Sequence, residues 1–176
     1  MRREILFGVA WFAVLRPYQK ERIISFINPY LDPLGSGYHR IQSVIAIGSG
    51  KIWGRGLGQG SQSQLKFLPD RYTDFIFASI AEEMGFVGVI LIFIFYFLMF
   101  WRMIKIALIT TNNFARLFCV GAGIVFLFHI VVNVGMNLGI LPVAGISLPF
   151  ISSGGSNLLI SFVTIGIIQS IVVRSK

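Results

Sequence analysis

Charge is scarce in this chain. Only 12% of its 176 residues are charged, and seven acids face fifteen Lys and Arg. With 55% apolar residues and a mean hydropathy of +0.79, that shortage excludes an ordinary soluble domain and a disordered chain, and it predicts an integral membrane protein. Cysteine is scarcer still. Cys119 is alone, so an internal disulfide and a thiolate metal cluster are both excluded. Its place inside an apolar run predicts inert packing. Histidine occurs twice, at His39 and His129, and no metal motif is visible. A secretory leader is also missing: Arg2-Arg3 precedes the apolar stretch 5–15, but no small-residue cleavage site follows.

Two nucleotide motifs come close and fail. Gly48-Ser-Gly-Lys51 would need glycine at position 45 and Ser or Thr at position 52 to be a P-loop, and both positions hold isoleucine. Gly54-Arg-Gly56-Leu-Gly58 has no βαβ unit around it. The net charge of +8 therefore points to anionic or phosphorylated lipid and away from nucleic acid.

What the chain does have is apolar runs. Residues 5–15 are too few to cross a bilayer, which takes about 20, so they read as a truncated first span and the chain as the carboxyl half of something longer. The runs 75–101, 117–138 and 157–173 are long enough. The expected fold is an all-α integral membrane protein, a polytopic helical bundle of about four transmembrane helices with the first cut short. Short-loop charge orients it. The 102–116 loop has three basic residues and the tail two, whereas 139–156 has none, so 102–116 and the tail are predicted to be cytoplasmic. The loop 16–74 is then outside despite its eight Lys and Arg. A loop that long counts weakly in the charge rule, and an anionic substrate on that face would account for its charge. Pro142, Pro149 and Ser152-Ser-Gly-Gly-Ser156 make 139–156 a candidate re-entrant segment. Its backbone must be buried in protein or line a cavity.

The candidate site residues cluster around the second run. Asp74 stands where the basic loop meets apolar sequence. An acid at a membrane border is a functional hypothesis by default, and the competing reading is a solvated helix-start residue. From 35 to 60 the chain carries eight glycines, which predicts a flexible loop with Lys51, Arg55, Lys66 and Arg71 beside backbone N–H groups. It is either a mobile loop facing headgroups or a cradle for a phosphate-bearing lipid. Glu82 and Glu83 lie within the second run and must face protein or water. Ala78, Ala81 and Gly85 share the Asp74 face of a helix, where small residues favour close packing. His129, Asn133 and Asn137 recur at a spacing of four, giving one polar stripe on the third run. Interhelical hydrogen bonding explains that stripe better than a metal does.

Five stretches carry a family resemblance: Asp32-Pro-Leu-Gly-Ser-Gly-Tyr-His-Arg-Ile-Gln-Ser43, Gly56-Leu-Gly-Gln-Gly-Ser-Gln-Ser-Gln-Leu65, Phe67-Leu-Pro-Asp-Arg-Tyr-Thr-Asp-Phe-Ile-Phe77, Ala81-Glu-Glu-Met-Gly85 and Leu148-Pro-Phe-Ile-Ser-Ser-Gly-Gly-Ser156. In order, they resemble the shape, elongation, division and sporulation (SEDS) family, closer to its RodA (elongation) branch than to its FtsW (division) branch. The resemblance covers the last four of about ten transmembrane helices. It implies a peptidoglycan glycosyltransferase of the bacterial plasma membrane, polymerising lipid II on the extracytoplasmic face beside a class B penicillin-binding protein transpeptidase and other elongation proteins. The family's essential aspartate matches Asp74, which implies a catalytic base. Lys51, Arg55, Lys66 and Arg71 become candidates for the pyrophosphate, and Glu82, His129 and Asn133 for a polar cavity. A divalent cation, Mg2+ or Mn2+, is a candidate for sharing the pyrophosphate role. Ser153 departs from the family's usual tyrosine, and altered packing is expected there. A flippase of the same lipid, or an inactive half-chain acting through helix contacts, remain as alternatives.

Overall fold

A computed structural model of the chain describes Arg22, Ser25, Phe26 and residues 36–60 and 72–174. Among them every regular element is helical: α1 (Ser36–Gly50), α2 (Ile76–Ile109), α3 (Asn113–Asn137) and α4 (Gly155–Arg174). The last three are long and apolar enough to cross a membrane. The predicted short helix at 5–15 lies outside the described residues.

α1 corrects the expectation of a flexible glycine loop over 35–60. A glycine costs roughly 0.5–1 kcal/mol against alanine in a helix interior, yet Gly50 allows a contact that a larger side chain would block. A Cβ on Gly50 would sit 1.8 Å from the Ala81 carbonyl oxygen. Ala46 packs on Phe75 and Ala78, all buried. Tertiary packing thus overrides a poor propensity. The helix ends with Lys51 at φ 49, a left-handed position that usually takes glycine.

α2 is not the single rod its sequence suggests. Gly85 has φ 65 and ψ −161, a region open essentially to glycine alone. The rings of Phe77 and Phe93 are 6.4 Å apart, where a straight helix would separate these positions by about 24 Å. The chain therefore turns a sharp corner, from a short arm (76–84) into a long one (86–109). The long arm, about 36 Å at 1.5 Å per residue, is sufficient to cross the roughly 30 Å hydrocarbon core.

The residues after α1 mend the break. In an unbroken helix, the N–H groups of Phe86 and Val87 would donate to the carbonyls of Glu82 and Glu83. Here they donate to Lys51 and Ile52, at 2.9 and 3.1 Å, while the Glu82 and Glu83 carbonyls accept from the N–H groups of Arg55 and Gly56, each at 3.0 Å. The two N–H groups and two carbonyls that the break would orphan all keep partners, as low-dielectric surroundings require. Ala78, Ala81 and Gly85, the small face of the short arm, receive α1 and this loop.

α3 returns antiparallel to the long arm. The Asn112 side chain caps its start by accepting from the Phe114 N–H at 2.9 Å. Met103, Ile106 and Ala107 pack on Cys119, Phe126 and Ile168 near the 110–112 turn, where Arg102, Lys105 and Arg116 gather. α4 is joined loosely, with only 11% of its apolar window buried, so most of its surface is left to lipid or to further helices. Between α3 and α4 the chain is irregular. Leu148, Pro149 and Ser152 are buried there, and the Tyr96 hydroxyl donates to the Pro149 carbonyl at 2.7 Å.

Candidate functional site

Asp74 lies in the turn that enters α2, beside the last two turns of α3 and opposite the basic 110–112 end. Three consecutive carbonyls hold this turn. Tyr72 accepts from the N–H and the hydroxyl of Ser153, at 2.8 and 2.9 Å. Thr73 accepts from the Ser152 hydroxyl at 2.7 Å. Asp74 accepts from the side-chain amides of Asn133 and Asn137, both at 3.0 Å. The Asn133 amide also donates to Ile146 at 2.7 Å, tying the irregular segment to the same point.

Asn137 is the hub. It is fully buried. Its amide oxygen accepts from Ser43 on α1 at 3.2 Å and from the Ala78 N–H on α2 at 3.3 Å. One side chain thereby joins three helices. The Ala78 N–H lies in the first turn of α2, which has no carbonyl of its own to meet it.

With its backbone fixed, Asp74 presents a half-buried carboxylate to a notch floored by Gly145. A Cβ on Gly145 would stand 3.6 Å from Asp74 Oδ2 and 4.0 Å from Arg22 Nη2. Gly145 has φ 68, so glycine suits both the backbone turn and the empty space. Arg22 is exposed and lines a shallow cleft with Ser25, Phe26, Arg40, Pro142 and Val143. Arg40 is a strut: it donates to the carbonyls of Phe26 and Gly139 and lies 4.8 Å over the Phe26 ring. The notch thus sets an acid and a guanidinium around one small volume, beside a fixed backbone.

The predicted site residues do not all converge. Asn133 is part of the site, but its amide holds backbone. Lys51 and Arg55 sit at the Gly85 corner, at the far end of the short arm and about 16 Å along it from Asp74. The loop's backbone donors are also consumed: Gly54 donates to Gly50, Arg55 to Glu82 and Gly56 to Glu83. A phosphate nest needs those N–H groups unengaged. Glu82 is fully buried at that same corner. Lys66 and Arg71 lie outside the described residues. His129 faces away from Asp74, into a cavity of about 360 Å³ shared with Asn157, Ser161 and Thr164, where its Nδ1 has no hydrogen-bond partner. The polar stripe of α3 therefore splits between two places.

Among the described residues no group of three His, Cys, Asp or Glu could hold a metal. Asp74 is the one described carboxylate at the notch, so a divalent cation there would need substrate phosphates for most of its ligands.

Sequence reasoning missed Arg22, Gly145 and the grip of Ser152 and Ser153. An uncharged, hydroxyl-rich stretch at membrane depth hinted at the serines, because its hydroxyls needed backbone partners. Nothing local pointed to Arg22, which lies fifty-two positions before Asp74 in the chain.

Comparison with known proteins agrees with the fold. A family model described as a cell cycle protein, FtsW/RodA/SpoVE, matches residues 4–176. The peptidoglycan glycosyltransferase MrdB of Escherichia coli strain K12 is 45% identical over 168 residues, covering 96% of this chain and 45% of that protein. The peptidoglycan glycosyltransferase RodA of Treponema pallidum is 47% identical over 161 residues, covering 92% of this chain and 37% of that protein. A solved structure described as structural coordination of polymerization and crosslinking by a peptidoglycan synthase complex superposes with a TM-score of 0.66 at 34% identity, covering 94% of this chain and 47% of that one. The chain spans less than half the length of these relatives. With the model matched over nearly its whole length and a helical bundle of three membrane-crossing helices, the chain belongs to the FtsW/RodA/SpoVE family.

Proposed function

We propose that this chain is the catalytic portion of a peptidoglycan glycosyltransferase, which polymerises lipid II on the outer face of the bacterial plasma membrane. The observation that carries this reading is the geometry at Gly145: a carboxylate and a guanidinium converge there, with the backbone of the acid fixed by four side-chain donors and one N–H.

Asp74 takes the proton from an acceptor sugar hydroxyl. The hydroxyl oxygen bonds to the anomeric carbon of the lipid-linked donor, whose bond to the pyrophosphate oxygen breaks. The pyrophosphate leaves with the pair of electrons and stays on its lipid. Arg22 faces that developing charge, as a preorganised cation should. Both groups stand within 4.0 Å of one point, close enough to act on one sugar. Base and leaving-group partner must flank the reacting centre in this way, as the two carboxyls of inverting glycosidases do at roughly 6.5–9.5 Å. The polymerization and crosslinking described for the solved structure support a transpeptidase partner of the penicillin-binding class.

The test is Asp74→Asn, which keeps shape and removes the base. General base catalysis is worth roughly 10²–10⁴-fold, so glycan synthesis from lipid II in vesicles should fall at least a hundredfold at unchanged protein level. The assay uses the chain alone and with the amino-terminal portion of the Escherichia coli relative supplied. Full synthesis by the mutant would remove Asp74 from the chemistry.

A further inference from the structure

The loop after α1 carries a second feature. Its tip is apolar and bare: Ile52 is 60% exposed, Trp53 81% and Leu57 76%. A soluble loop tip is ordinarily polar, and a tryptophan so exposed in water is unusual. Lys51 and Arg55 stand among these side chains, both exposed. The backbone below them is spent on mending the Gly85 corner, so the tip is held firmly and its side chains alone face outward.

What lies beside the tip indicates what it meets. Lys51 and Ile52 are bonded directly to Phe86 and Val87, which open the long arm of α2. Phe86, Val87, Ile90 and Leu91 are themselves exposed, an apolar face on a helix long enough to cross a membrane. The apolar tip continues that surface at the end where the span leaves the hydrocarbon. Tryptophan concentrates at this depth, where its ring is apolar and its N–H is wet. Cations beside it gain from anionic headgroups.

We propose that residues 51–58 form an interfacial membrane anchor, which seats Ile52, Trp53 and Leu57 at the boundary of headgroups and acyl chains, with Lys51 and Arg55 against anionic headgroups. The anchor fixes the depth of the Gly85 corner. Through the short arm of α2 it fixes the height at which Asp74 meets the membrane. The proposal is independent of the reaction assigned to Asp74, since it concerns only where the loop sits.

The chain has three tryptophans, Trp11, Trp53 and Trp101. With Trp11→Phe and Trp101→Phe, Trp53 reports alone. The full chain is reconstituted in vesicles of phosphatidylethanolamine and phosphatidylglycerol whose acyl chains carry bromine near the headgroup end or near the methyl end. A companion variant retaining only Trp101, at the other end of the span, establishes insertion first. The expected result is blue-shifted Trp53 emission, mostly lost to bromine near the headgroup and little affected by aqueous iodide. Emission quenched by iodide and untouched by bromolipid would place the loop in water and overturn the proposal. Emission shielded from both quenchers would mean that protein covers the tip, and would overturn it equally. Replacing Lys51 and Arg55 with Gln should move Trp53 toward iodide. No change would remove the headgroup cations from the proposal.

Discussion

Asn137→Ala tests the hub that holds the candidate catalytic turn. The substitution removes three contacts between segments: to the Asp74 carbonyl at 3.0 Å, to the Ser43 hydroxyl at 3.2 Å and to the Ala78 N–H at 3.3 Å. Side-chain hydrogen bonds between membrane helices average about 0.6 kcal/mol, so the three together contribute close to 2 kcal/mol. The losses are unequal. Asp74 keeps its bond from Asn133, and Ser43 still donates to the Asn137 carbonyl at 2.8 Å. The Ala78 N–H keeps nothing among the described residues, and a buried orphan donor costs at least about 1 kcal/mol. The expected destabilisation is about 3 kcal/mol, read from unfolding by SDS in mixed micelles. Ser161→Ala is the control, since its hydroxyl bonds only within its own helix, to the Asn157 carbonyl at 2.8 Å, and it should change little. Glycan synthesis should also fall in the Asn137 variant, although the residue touches no substrate. A loss of stability below about 1 kcal/mol would refute the three-helix accounting, because the orphaned donor alone exceeds that.

Three further outcomes follow from the same geometry. Gly85→Ala forces a side chain into a glycine-only backbone region and puts its Cβ 2.3 Å from the Gly54 nitrogen; strain alone costs about 1–3 kcal/mol, so yield of folded protein in detergent should collapse, and normal yield would mean the corner is not as described. Ser153→Ala should cost under about 1 kcal/mol in the same SDS titration, because the Ser153 N–H still holds the Tyr72 carbonyl at 2.8 Å. Arg22→Gln should leave stability unchanged and lower glycan synthesis at least tenfold; an unaltered rate would make the arginine a bystander at the notch.

The membrane-crossing helices were legible because lipid imposes one simple rule, a long apolar run, and the runs 117–138 and 157–173 obey it. The corner at Gly85 was not legible. The sequence is apolar on both sides of it, and a single glycine in a membrane helix is ordinary. Its meaning lies in Gly50 and Gly54, which let another backbone approach within a distance no Cβ allows. The glycines between 35 and 60 read as flexibility for the same reason: propensity counts what glycine costs and cannot see the backbone that Gly50 and Gly54 admit. Asp74 was legible as an acid at a border. Its notch was not, since Arg22 and Gly145 come from segments far apart in the chain.

The corner and the hub answer one physical problem. A candidate base at a membrane border needs an immobile backbone, and the entrance to a helix does not supply one by itself, because its first N–H groups lack partners and attract the nearest acceptor. An aspartate there would ordinarily turn back and cap its own helix. In this chain the Asn137 amide oxygen occupies the Ala78 N–H, and the Ser79 N–H goes to the Phe75 carbonyl at 3.2 Å. Side-chain amides and hydroxyls meet the three carbonyls of the turn. The Ala78 N–H and the three carbonyls of the turn thus all meet neutral groups. Asp74 Oδ2 faces the Gly145 notch, the point at which the proposed reaction takes the proton of the acceptor sugar.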